Sequence, residues 1–293
     1  MYELIRISEK CYYIQCPAKI GIYTENGKDV YLIDSGSDKD AGRKVRQILD
    51  ANGWSLKAIF NTHSNADHIG GNKYLQAQTG CDIFAPGIEC DFTQHTILEP
   101  AFLYGGYPYK DLKHKFLMAQ ESDVKPMTKD CLPSGLEMIE LKGHFFDMVG
   151  FKSDDGTAFL ADCLSAKSTL DKYGIGFIYD IEAYINTLED VKNIDAKVFV
   201  PSHAEVTDSI AELADYNISA VKKTAETITK ICEVPVSFET VLQKIFETYG
   251  LKMTHEQYVL IGSTVRSYLS YLKDKGEIDA YFENNTMLWK KVN

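Results

Sequence analysis

The chain has 293 residues, 45% hydrophobic and 25% charged, which is enough to bury a substantial core and suits one large domain with a small one, or two medium ones. A net charge of −11 disfavours broad binding to a phosphate backbone, although it leaves room for a local basic patch. The start, Met1-Tyr-Glu-Leu-Ile-Arg, lacks the uninterrupted apolar run of a signal peptide, and no segment reaches the length of a membrane span. The seven cysteines (Cys11, Cys16, Cys81, Cys90, Cys131, Cys163 and Cys232) are odd in number and hold no C-x-x-C pair, the pattern of reduced thiols, so a cytoplasmic location is expected.

In chain order, residues 11–16, 20–24 and 30–34 are short β-branched and aromatic runs that predict strands, the last two separated by a turn at Asn26-Gly27. Residues 40–52 place Val45, Ile48 and Leu49 on one helical face, and residues 56–61 form a buried strand. A helix is expected over 71–79 and a strand over 82–85. From 86 to 134 the texture changes: five prolines, Gly105-Gly106 and many aromatics give weak periodicity, as in a long functional insertion or lid. Its bland alternative is an aromatic mini-core over the sheet edge. Strand patterns return at 137–141, 149–153, 158–161 and 197–200, with helices over 181–193 and 209–231.

Residues 237–293 read as a small α+β unit: a helix over 238–249, one or two helices over 254–275, and a hairpin turning at Asn284-Asn285. Helix, helix and hairpin look like a winged helix, joined to the first domain (1–208) by a linking helix within 209–236. Arg266, Lys273, Lys275, Lys290 and Lys291 are offset by Glu277, Asp279 and Glu283. That is too little positive charge for a nucleic-acid surface, which favours packing on the first domain or homodimerisation.

The chemistry concentrates in Phe60-Asn-Thr-His-Ser-Asn-Ala-Asp-His-Ile-Gly-Gly-Asn72, where His63, Asn65, Asp67 and His68 share one loop after an apolar strand. Imidazole and carboxylate at this density suit zinc and similar borderline metals. Three further candidates follow apolar runs: His144 after Ile139-Glu-Leu-Lys-Gly, Asp162 after Thr157-Ala-Phe-Leu-Ala, and His203 after Val198-Phe-Val-Pro-Ser. Ligands at the carboxyl ends of separate strands can meet on one rim of a sheet. His95, His114 and His255 are isolated and carry no assigned role.

In order, strand context and rough spacing, these motifs resemble the H-x-H-x-D-H signature and later ligands of the metallo-β-lactamase superfamily, over about residues 1–208. Asn65 stands where that family has its second histidine. The resemblance implies a four-layer αββα sandwich and two metal positions. His63 and His144 would serve the first, with Asn65 facing it; Asp67, His68 and His203 would serve the second, with Asp162 between them. Asp34 matches a family aspartate that supports the histidine loop without binding metal. Because an amide oxygen is a poorer zinc donor than imidazole, three outcomes are open, in this order: both positions fill, the first weakly; only the second fills; or one iron sits on His63, His144 and Asp162. Zinc is the expected ion, with iron or manganese as alternatives.

A metal-activated water, its pKa lowered to about 7, would attack a small ester, thioester or lactone, with Asp67 and Asp162 as the catalytic carboxylates and Tyr104 and Tyr107 as a substrate wall. Three alternatives come with the family or the composition: a mononuclear iron oxygenase acting on a thiol compound, a scaffold protein with a weakened metal site, and nucleic-acid processing, which the charge disfavours. The expected partner is a small molecule, with no membrane.

Overall fold

The computed structural model of the chain describes residues 2–292; Met1 and Asn293, the end residues of the expected 1–208 and 237–293 units, lie outside them. The first half contains β1 (Glu3–Arg6), β2 (Cys11–Gln15), β3 (Ile20–Thr24), β4 (Asp29–Ile33), α1 (Lys39–Ala51), β5 (Ser55–Phe60), α2 (Ala66–Ile69), α3 (Asn72–Thr79), β6 (Asp82–Ala85), α4 (Glu89–Gln94), α5 (Leu98–Tyr104) and β7 (Lys125–Pro126). The second half contains β8 (Leu136–Glu140), β9 (Val149–Ser153), β10 (Thr157–Ala161), α6 (Lys167–Tyr173), α7 (Ile181–Val191), β11 (Val198–Pro201), α8 (Ala211–Ile231), α9 (Phe238–Tyr249), α10 (His255–Asp274), β12 (Ile278–Glu283) and β13 (Thr286–Lys291).

Strands β1 to β7 form one sheet in sequence order, antiparallel through β4 and parallel from β4 to β7. The second sheet has the order β11-β10-β9-β8. There β10 and β11 are parallel, and β8 runs with β10 because both are antiparallel to β9. The carboxyl ends of β8, β10 and β11 therefore share a rim, as do those of β4 and β5 in the first sheet. This topology delivers the candidate ligands to one place.

Three apolar layers hold the sandwich. Val45 and Leu49 of α1 and Leu75 of α3 pack on Ile20, Ile22, Leu32 and Ile59, covering the outer face of the first sheet. Between the sheets Phe60 stacks against Tyr31 and Phe84 and meets Phe151, with Tyr23, Phe159 and Val200 nearby. On the outer face of the second sheet Leu160 and Phe199 pack with Tyr184, Leu188, Val221, Ile245 and Leu269 from α7 to α10. Each fully buried aliphatic or aromatic side chain of this kind contributes roughly 1.5–3 kcal/mol through burial. The four-layer αββα arrangement follows from these three interfaces.

Residues 254–275, open between one helix and two, form a single helix whose start Thr254 caps by accepting from Gln257 N. Asn284 and Asn285 both adopt positive φ (49° and 59°), which closes the β12–β13 hairpin in the primed geometry that asparagine tolerates. Helices α8, α9 and α10 and Ile278 share the outer core of the second sheet. Trp289 of β13 is bridged to Val236. The 86–134 segment is more regular than its composition suggests. It holds α4 and α5, and Leu103, Leu112 and Leu117 join Val259 of α10 in a small separate core. Among the described residues no helix is long and apolar enough to cross a membrane.

Candidate metal centre

The loop after β5 is fixed from behind before it presents any ligand. Asp34, just past β4, adopts φ 66°, a conformation uncommon for a non-glycine residue and characteristic of over-determined sites. Its Oδ1 accepts from Thr62 N at 2.8 Å, and its Oδ2 accepts from Thr62 Oγ1 at 2.8 Å. With its proton committed to Asp34, the Thr62 hydroxyl can only accept from His63 Nδ1, 2.9 Å away. His68 Nδ1 donates directly to Asp34 Oδ2 at 2.8 Å. One buried carboxylate thereby sets the tautomer of both imidazoles and leaves both Nε2 lone pairs free. His203 is set in the same way by its Nδ1 donating to Pro17 O at 3.0 Å.

The glycines of this region are sites of close backbone approach. A Cβ on Gly70 would lie 2.3 Å from Ser37 backbone atoms, and one on Gly71 would lie 2.3 Å from Ser35 O. Gly143, at φ 113°, lets the chain turn into His144 where a Cβ would strike Tyr184 N at 2.2 Å.

The structure brings seven sequence-predicted side chains to one centre. His63, His144 and Asp162 form one group, and Asp67, His68 and His203 another; within each group the candidate donor atoms all lie within 4.8 Å of one another. Asp162 stands between the groups, with Oδ1 3.1 Å from His68 Nε2 and Oδ2 3.2 Å from His203 Nε2 and 3.7 Å from His144 Nε2. Asp67 Oδ2 lies 3.2 Å from His203 Nε2. Asn65 Oδ1 lies 3.2 Å from His144 Nε2, on the side of the first group.

The donor chemistry fits cations. His63 Nε2, His68 Nε2 and Asp162 Oδ1 are buried with no hydrogen-bond partner, an arrangement that costs about 1–3 kcal/mol per orphaned group unless something positive meets it. His68 Nε2 and Asp162 Oδ1 face each other as two acceptors, and only a proton or a metal reconciles them. The ionisation pattern divides the groups. Burial, with the neighbouring His68, pushes His63 well below the ordinary imidazole range, and burial lowers His144 despite Asp162 nearby. Burial also opposes charge on His68 and His203, but Asp162 and Asp67 outweigh it and raise both. Asp162 is held well below the carboxylate range: burial opposes this, and His203 and His68 overcome it. Those compact ion pairs are what a metal-free cage falls back on.

Several residues at the site were not singled out from sequence. Thr62 relays Asp34 to His63, and its place beside a ligand in F-N-T-H was the available signal. Phe145 and Phe177 set their rings against His63 and His144, with centroid distances of 6.4 and 5.5 Å, and Phe92, Phe102 and Phe146 extend the wall. The doublet Phe145-Phe146 directly after His144 announces this wall. Tyr104 and Tyr107 lie further out: Tyr104 meets Tyr109 edge-on, and Tyr107 is 79% exposed with Lys113 over its ring. Two buried acids of the insertion, Glu89 and Glu99, also reach the ligand loop. Glu89 accepts from Ser64 N, Ser64 Oγ and Asp147 N, and Glu99 accepts from Asn65 Nδ2. A glutamate amid apolar residues in a short helix was the readable sign of each.

A buried αββα core and candidate ligands gathered on the strand-end rim define a class, and sequence comparison agrees with it. The family described as the metallo-beta-lactamase superfamily matches residues 14–203, and the chain belongs to that family. It is similar to a probable metallo-hydrolase, YybB, of Bacillus subtilis (25% identity over 198 residues, 66% of this chain and 84% of that protein). It is also similar to a hydroxyacylglutathione hydrolase of Rhodopseudomonas palustris, at 28% identity over 159 residues and 51% of each chain. A second such hydrolase, from Methylococcus capsulatus, is 51% identical over 39 residues, 13% of this chain. The chain spans only 15% and 51% of the length of these two hydroxyacylglutathione hydrolases. Among solved structures, a beta-lactamase domain protein from Burkholderia ambifaria superposes with TM-score 0.74 at 13% identity, covering 99% of this chain and 94% of that one. At that identity the likeness concerns the fold.

Proposed function

We propose that the chain is a metal-dependent hydrolase of a small acyl compound, with a thioester as the first class to test and esters and lactones next. The observation that carries this reading is the pair of three-donor groups joined by Asp162, in which the imidazoles of His63, His68 and His203 are already oriented by Thr62, Asp34 and Pro17. Two zinc ions fit that donor set, and when bound they supply a Lewis acid for a carbonyl oxygen and an acidified water. The residues do the rest. Asp67, whose side chain is 42% exposed, is the carboxylate open to the cleft and is placed to orient the attacking water and accept its proton. Asp162 keeps the two groups at a fixed separation. Phe145 and Phe177 exclude water from the side of His63 and His144, which favours an apolar acyl portion there. A groove of about 760 Å³ opens beside His203, lined by Cys16, Pro17, Lys167, Thr169, Leu213 and Tyr216, and gives the remainder of a substrate room to lie. The similarity to hydroxyacylglutathione hydrolases supports placing thioesters first.

We read the C-terminal unit as a packing module. Lys275 pairs with Glu182 at 2.6 Å, Lys273 pairs with Asp279, and Lys291 lies 4.0 Å from Glu233, so several of its cations are already neutralised. That leaves little for nucleic acid. One observation favours a second reading: His63, His144 and Asp162 are a two-histidine, one-carboxylate set of the kind that holds catalytic iron. Elemental analysis of the purified protein, paired with a panel of thioesters, esters and lactones, tests both. Zinc with turnover that Asp67→Ala abolishes supports the hydrolase; iron with oxygen consumption and no hydrolysis replaces it.

A further inference from the structure

The residue that departs from the family pattern is Asn65, and its side chain is not used as its position suggests. Asn65 is the N-cap of α2, where asparagine ordinarily accepts a hydrogen bond from a backbone N–H of the first turn. It makes no such bond here. Its Nδ2 instead donates to Glu99 Oε1 at 2.8 Å, which turns Oδ1 the other way, to within 3.2 Å of His144 Nε2. Glu99 sits on α5, in the 86–134 insertion, and is 5% exposed. In the structure Glu99 Oε1 is the acceptor of the Asn65 Nδ2 bond, and this contact sets which end of the amide faces the first group of donors. A histidine offers a lone pair with only its tautomer to choose, whereas an asparagine amide can present either an acceptor or a donor. With Nδ2 inward it would repel a cation.

We propose that Glu99 is a positioning residue that orients the Asn65 amide, so that Oδ1 serves as an acceptor for a cation held by His63, His144 and Asp162. This deepens the two-position reading above and rests on it. The insertion then does more than cover the site. Through Glu89 on Ser64 and Asp147, and Glu99 on Asn65, it braces the ligand loop and adapts it to an amide ligand.

The test is a metal-binding cycle on the full chain, using zinc titrated against a competing chelator and melting of the metal-free protein as the check on folding. Glu99→Met keeps the volume and removes the acceptor, and Glu99→Gln is the second variant, retaining an oxygen for Asn65 Nδ2. The expected result for Glu99→Met is a weaker-step affinity lower by about tenfold or more, a tighter step changed less than about threefold, and partial recovery in Glu99→Gln. In an Asn65→Ala background the same Glu99→Met change should have no further effect on the weaker step. An equal loss at both steps, or an undiminished loss in the Asn65→Ala background, assigns Glu99 a general structural role and overturns the proposal. A wild-type chain that binds a single zinc, indifferent to Asn65→Ala, overturns the two-position reading itself and this proposal with it.

Discussion

The two halves of the centre are built on opposite principles. The first, around His63 and His144, is dry, walled by Phe145 and Phe177, and its imidazoles are pushed toward the neutral form by burial. The second, around His68 and His203, is richer in carboxylate; Asp67 and Asp162 draw protons onto its imidazoles, and His203 and Asp67 are partly open to solvent. Neutral imidazoles are ready to bind but offer little charge to attract a cation. Charged ones must release protons first, yet their carboxylates then hold the cation firmly. The comparison teaches that Asn65 falls on the half that lacks Asp67 and whose imidazoles are held toward the neutral form, so that half is expected to be the weaker binder.

The largest effect should come from removing what both halves share. Asp162→Ala is expected to lower metal content at both positions and to reduce turnover by more than about 100-fold, measured by elemental analysis and by hydrolysis of the best thioester. Next is the common support: Asp34→Asn disturbs the tautomers of His63 and His68 together and should weaken both binding steps about 10–100-fold in chelator competition. Asn65→His sharpens the contrast, since it should tighten only the weaker step, by about tenfold. If turnover rises with it, the natural site is impaired; if turnover stays level, the amide is an adapted ligand.

Two smaller effects concern protons. His68 and His203 are raised in the metal-free fold, so the stability their ion pairs contribute is fully present below the ordinary histidine value and is lost as pH rises through the raised values. Zinc binding at that half must displace those protons. In weakly buffered solution near neutral pH the tighter step should release more protons than the weaker one, and its affinity should fall faster as pH drops. Glu89 is raised to about 7 by burial, partly opposed by its bonds from Ser64 and Asp147. Its contribution to stability is complete below its ordinary value of 4.5 and lost as pH rises through 7. Relative to Glu89→Gln, the wild type should therefore lose roughly 2–3 kcal/mol between those limits in denaturant titrations.

The strands and long helices were legible because each buries a repeating stripe. Residues 238–249 form α9 as the periodicity predicts, and Val45 and Leu49 of α1 face inward as expected. The candidate ligands were legible because four short motifs sat after apolar runs. The insertion was not. Its helices α4 and α5 have six and seven residues, too short to show a period, and their telling feature is a single buried acid in each. Helix α6 was missed for a similar reason, since none of its residues is fully buried. The rings beside the imidazoles were hidden in a different way: composition showed that rings were abundant, but Phe145 and Phe177 reach His63 and His144 from the loops joining β8 to β9 and α6 to α7. Pairings such as Asn65 with Glu99 join residues 34 positions apart and have no local signature.

An anomalous-scattering map collected at the zinc edge from a crystal of the protein as purified bears most directly on the centre. Two peaks are predicted, one at about 2.0–2.2 Å from nitrogen and oxygen atoms of His63, His144 and Asp162 with Asn65 Oδ1 facing it, the other at similar distances from Asp67, His68 and His203. No peak within the reach of these side chains, or one held by other residues, would contradict a paired cation site divided by Asp162.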